Sequence, residues 1–258
     1  KDNSFRESFL DYTSIAAKAI KDAGLEHEQV VRALEIVDSF SEKRREIGWP
    51  FYFLREGVTW IAGDFKGKKM RNENFAKTLE MTKEHIEKTE RLSTSDLSQP
   101  IGAASRAVKE EKYVSTLKRL LKVAEDVKKV EEYSHFVWAI DGAAYAMKGE
   151  EFLKTVDKLA NTMKRLSENG VEGRNRLMSA IGQAGKILKE KEYLKAIDRM
   201  TEILDEFHEK GIGNVDYLFE HGVEGAAREM PPEEFFPQLE RITQIGLSLG
   251  TGNMYLFK

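Results

Sequence analysis

The chain has no cysteine in 258 residues, which excludes disulfide frameworks and thiolate metal centres. Proline is scarce, at five, and four of these fall where helices are expected to begin or stop: Pro50, Pro100, Pro231 and Pro232. No apolar run approaches the length needed to cross a bilayer. Neither sign of charge dominates. With 41 basic and 44 acidic residues the net charge is −3, so steering of the whole molecule toward nucleic acid or an anionic membrane is not expected. Period-2 strand patterns are nearly absent, as are the H-E-x-x-H metalloprotease motif and any dinucleotide-binding glycine motif. Abundant Glu, Lys and Arg without Cys suit a protein from a hot habitat. The chain opens KDNSF without Met, which leaves room for a processed leader. A cytoplasmic location is the expectation.

What is present is a period. Gly102, Gly142, Gly182 and Gly222 stand 40 residues apart. Each opens a small-residue segment and is followed by an aromatic that starts a new apolar stripe: Tyr113, Phe152, Tyr193 and Phe235. Counting from that aromatic, apolar residues recur at helical spacing, as in Tyr193, Leu194, Ile197, Met200 and Phe207. Asn169-Gly170 and Lys210-Gly211 read as helix stops, and Pro231-Pro232 as a start. Ser4 and Glu7 form a capping-box pattern ahead of a stripe that runs to Gly24. Pro100 is expected near a first helical turn, and Gly48 and Pro50 at the close of a second helix. Since glycine within a helix costs about 1 kcal/mol relative to alanine, four in register predict close helix crossings.

A fixed period of this size marks stacked supersecondary units. The expectation is an all-α chain forming one α-solenoid domain over residues 1–258. It would hold about six antiparallel helical hairpins, or about twelve helices, with repeats near 4–48, 49–92, 93–133, 134–170, 171–211 and 212–258. The repeat length resembles that of HEAT and armadillo repeats. The resemblance is to the class: the first helices lack the usual HEAT proline, and no regular Asp–Arg pair marks the turns.

Several patterns could carry chemistry. Gly246-Leu247-Ser248-Leu249-Gly250 matches the G-x-S-x-G elbow by letter, but that elbow needs a strand before its serine. Glu132/His135 and Asp205/His208 have the spacing of di-iron ligands without the further carboxylates such a centre requires. Neither supports a catalytic or metal assignment, and no cofactor is expected. The loop bearing Lys66, Lys68, Lys69 and Arg71 is a possible anion contact. On the second helices, Glu80, Asp157, Asp198 and Glu240 lie five residues after the aromatic anchor. Arg119, Lys158, Arg199 and Arg241 lie six after it, forming a row with repeats about 10 Å apart. Trp49, Tyr52 and Trp60 head the densest aromatic cluster, suited to core packing or to an interface.

The expected function is a non-enzymatic scaffold. It would bind another protein, or an acidic segment, through Arg119, Lys158, Arg199, Arg241, Trp49, Tyr52 and Trp60. The alternative is nucleic-acid binding through the 66–71 loop and the second-helix faces, and a hydrolase or metalloenzyme comes after both. No membrane association is expected.

Overall fold

The computed structural model describes residues 2–42, 52–65, 72–88, 94–128, 134–213 and 215–249. Every regular element among them is helical and none is a strand, as the lack of period-2 patterning requires. No described helix is long and apolar enough to cross a membrane. Contacts group the chain into two compact units, Lys1–Leu121 and Lys122–Lys258.

The first unit contains α1 (Asp2–Asp22), α2 (Glu28–Asp38), a π-helical segment π1 (Phe53–Val58), α3 (Thr59–Phe65), α4 (Asn72–Lys88) and α5 (Thr94–Ala107). The unit boundary falls within α6 (Glu110–Lys128). α1 lies on α2, π1 and α3; α2 packs on α4, and α3 on α4 and α5. Its core is aromatic. Phe65 meets Phe75 and Tyr113 edge to face, with ring centroids 5.4 and 5.7 Å apart, and Phe40 meets Phe53 at 5.6 Å. Such geometry sets the positive ring edge against the negative face. Two boundaries differ from expectation. α2 ends at Asp38, with residues 43–50 outside the described part. Pro100 lies well inside α5 rather than in its first turn, because the polar residues ahead of it are themselves helical.

The second unit contains α7 (Ser134–Ala146), α8 (Gly149–Glu168), α9 (Arg174–Ile187) and α10 (Glu190–Glu209). After α10 come the short α11 (Val215–Tyr217), a second π-helical segment π2 (Leu218–Val223), α12 (Glu224–Glu229) and α13 (Pro232–Leu249). The stops read from sequence hold. Gly170 and Gly211 have φ of +66° and +64°, in the left-handed region that glycine enters without a Cβ penalty. In each case the next amide reaches back five residues, Val171 to Leu166 O and Ile212 to Phe207 O, both at 2.9 Å, which is the Schellman closure.

α9 is the centre of this unit. Residues 177–185 are buried without interruption, since α7, α8, α10, π2 and α12 all pack on it. A stretch covered on every side cannot carry a polar face, and residues 177–185 are, apart from Gln183, small or apolar. α7 lies beside it in parallel, because paired positions advance together. His135 Nδ1 is 2.8 Å from Ser179 Oγ, Gly182 abuts the Trp138 carbonyl, and Lys189 Nζ donates to Tyr145 O at 3.0 Å. α8 and α10 are likewise parallel, through Lys158–Asp198 and Arg165–Asp205.

The glycine ladder has more than one cause. A Cβ on Gly182 would stand 2.7 Å from the Trp138 carbonyl oxygen, and those on Gly142 and Gly185 would collide with each other's helix backbone. There the expected close crossing exists. At Gly102 a Cβ would meet only the guanidinium end of Arg106, on the same helix, and at Gly222 only the side chain of Ile242. Gly57 and Gly222 occupy the same place in the two π segments, within Tyr52-Phe-Leu-Arg-Glu-Gly-Val58 and Tyr217-Leu-Phe-Glu-His-Gly-Val223. The sequence reading did not find this match.

Candidate functional site

The four aromatic anchors Tyr113, Phe152, Tyr193 and Phe235 are fully buried, so residues counted from them take equivalent places on successive second helices. Burial without a hydrogen bond to its hydroxyl pushes the Tyr193 phenol well above the ordinary range. With these rings fixed inward, the residues two, five and six positions later are exposed or half-buried on each of these helices.

On that face the charges expected to form a row are cross-linked. Lys158 of α8 pairs with Asp198 of α10 at 2.5 Å. Arg199 of α10 pairs with Glu240 of α13 through Nε and one Nη, at 2.6 and 2.7 Å. In the first unit Arg32 of α2 pairs with Glu80 of α4. Each carboxylate lies five residues after its own anchor and takes a cation from the preceding second helix. A further fork joins Arg165 to Asp205 at 3.0 and 2.8 Å. The hydrogen-bonded carboxylates raise the Arg199 and Arg165 guanidinium pKa values above normal, and Arg199 holds Glu240 below the usual carboxylate range. Through Lys158–Asp198 and Arg199–Glu240 the two columns read from sequence form an inter-helix ladder in the second unit. Arg119 and Arg241 are exposed on α6 and α13. Tyr52 and Trp60 are half-buried in the first unit. Trp49, Lys66, Lys68, Lys69 and Arg71 lie outside the described residues.

Two clefts open on this face in the second unit. One, of about 740 Å³, lies between α10 and α13; Phe236 and Pro237 face Lys195, and the Arg199–Glu240 fork lies beside them. Lys195 Nζ sits 4.5 Å from the Phe236 ring centroid, within cation–π range. No described carboxylate pairs with this ammonium. Pro237, inside α13, has no amide hydrogen, so the Glu233 carbonyl lacks its helical donor. The other cleft, of about 540 Å³, runs along α8 past Lys154, Lys158, Asn161 and Arg165. Lys154 pairs only with Glu151, one turn back on its own helix and exposed. Lys154 and Lys195 each stand two residues after an anchor. That column was missed from sequence because its first and last members, Ser115 and Pro237, carry no charge.

The remaining motifs have structural places. Ser248 Oγ donates to Ile245 O of α13 at 2.8 Å, in helix rather than at a strand-to-helix turn. Asp205 of the Asp205/His208 pair is held by Arg165, and His135 links α7 to α9. Among the described residues no three His, Asp or Glu side chains gather as a metal would require. Lys148 and Lys189 occupy N-cap positions where neither forms a side-chain cap. Instead their ammonium groups donate to Ala144 O and Tyr145 O at 2.7 and 3.0 Å, at the negative end of α7.

No family model, curated protein or solved structure matches the chain.

Proposed function

We propose that this protein is a non-enzymatic interaction scaffold of the α-solenoid kind, built from HEAT-like hairpins, that binds a polypeptide segment on the face of its second helices. The observation that carries this reading is the pair of clefts on equivalent stretches of α8 and of α10 with α13. Repetition of one helical unit places like side chains at regular intervals, and a ligand can engage several at once. The α10–α13 cleft combines an aromatic ring, a proline ring and an ammonium group. Those are the elements that anchor a peptide: apolar burial with a few placed polar groups. The ladder fixes the spacing of the helices and keeps the cleft walls in place. Because Lys158 and Arg199 are already paired, recruitment falls to the side chains around the ladder rather than to the ladder itself.

Selection of displayed random peptides on immobilised protein tests this. Enriched peptides should compete with one another and lose affinity for a folded Phe236→Ala variant. Absence of enrichment, or peptides indifferent to that substitution, would overturn the proposal.

A further inference from the structure

We infer that the segment bound on the second-helix face is extended and acidic, with carboxylates three residues apart that pair with Lys154 and Lys195. The inference rests on the scaffold reading and names the ligand's chemistry.

It starts from which cations are engaged. Lys158, Arg165 and Arg199 each bind a carboxylate of the next second helix. Their exchange for a ligand would break a contact between helices. Lys154 and Lys195 differ. Lys154 has an exposed partner one turn away, the kind of pair that contributes little and exchanges readily. Lys195 rests over Phe236, which holds the ammonium in place without neutralising it. Both line a cleft, and both take the same position on helices that lie side by side.

Spacing then defines the ligand. Neighbouring packed helices lie about 8–10 Å apart, so equivalent side chains on α8 and α10 repeat at about that distance. An extended chain advances about 3.3 Å per residue, so three residues cover one repeat. Successive carboxylates at that interval can meet Lys154 and Lys195 together. Carboxylates on adjacent residues would crowd one lysine and come close to Asp157 and Asp198, which sit on the same face. These interleaved acids also disfavour the continuous charge of a nucleic-acid backbone.

Two fluorescein-labelled peptides of equal composition test the inference: four Glu-Pro-Ser units in series, and four Glu followed by four Pro-Ser units. Proline keeps both extended. By fluorescence anisotropy at low salt, the spaced peptide should bind about two- to fivefold more tightly, the gain expected of a second exposed ion pair. The Lys154→Ala/Lys195→Ala variant should lose that preference. Lys164→Ala, which removes an exposed charge of α8 outside the column, should keep it. Equal affinity for the two peptides, the same loss in Lys164→Ala, or tighter binding of a twelve-residue oligothymidylate would overturn the inference. If displayed peptides lacking acidic residues bind the Phe236 cleft, the scaffold reading stands and this ligand assignment falls.

Discussion

At Gly182 the missing methyl group is a structural part. The neighbouring helix brings the Trp138 carbonyl to within 2.7 Å of where a Cβ would be, and a backbone atom cannot move aside as a side chain can. Gly182→Ala should therefore destabilise by about 1–3 kcal/mol through overpacking, despite the gain of about 1 kcal/mol in helix propensity that the same change supplies elsewhere. Gly102→Ala meets only the flexible end of Arg106 and should be neutral or stabilising. Urea denaturation of the two variants checks this, and equal effects would mean that close approach is not what keeps glycine at 182. The regular spacing of the four glycines was legible in the sequence; their different causes were not. Spacing reports which residue recurs, while the neighbour it faces depends on packing. Gly142 and Gly182 face backbone, and Gly102 does not.

The elements that carry charge show the same limit. The columns five and six residues after each anchor were visible, because helical geometry alone fixes the direction of those side chains. That Arg199 grips Glu240 rather than a neighbour along its own helix was not visible, since it depends on α10 lying beside α13. Glu224, at the junction of π2 and α12, is a further case. It is only 4% exposed, Oε2 accepts from Arg228 at 2.8 Å, and Oε1 is buried without a partner. Burial raises its pKa, against the opposing pull of Arg228, Arg176 and His221, while Glu220 adds to the rise. A carboxyl whose folded pKa exceeds its unfolded value makes the native state bind more protons, so stability falls as pH rises through that interval. Glu224→Gln should therefore melt above the wild type at pH 7. The difference should vanish below the ordinary carboxylate range, where both are neutral. A wild type that is the more stable at pH 7 would show that the Arg228 pair outweighs the cost of burying the charge.

For the molecule as a whole, composition and period led to an all-helical chain, and the described residues contain only helices. The buried anchors Tyr113, Phe152, Tyr193 and Phe235 were readable because a ring repeated at the head of each stripe has only the core to enter. The buried run 177–185 of α9 was not, because its small residues resemble those of α7, which keeps Trp138 and Tyr145 at 39% and 41% exposure. The paired π segments have a consequence for how this chain can be edited. A π turn closes its hydrogen bonds one residue later than an α turn, so it is what an α-helix becomes when a single residue is inserted and the flanking contacts are kept. The segments from Tyr52 to Val58 and from Tyr217 to Val223, which share Tyr, Gly and Val at the same places, are then each equivalent to an α-helix with one residue added. Such an insertion is reversible. Deleting His221, which is exposed, should turn π2 into ordinary helix with the residues on either side still in register, and the protein should fold with a modest loss in melting temperature. Deleting the similarly exposed Asp198 from the middle of α10 would instead rotate everything after it by about 100°, turning Met200 and Ile203 away from the core, and should abolish folding. If the two deletions prove equally harmful, the extra residue is a requirement of the fold and not a removable addition to it.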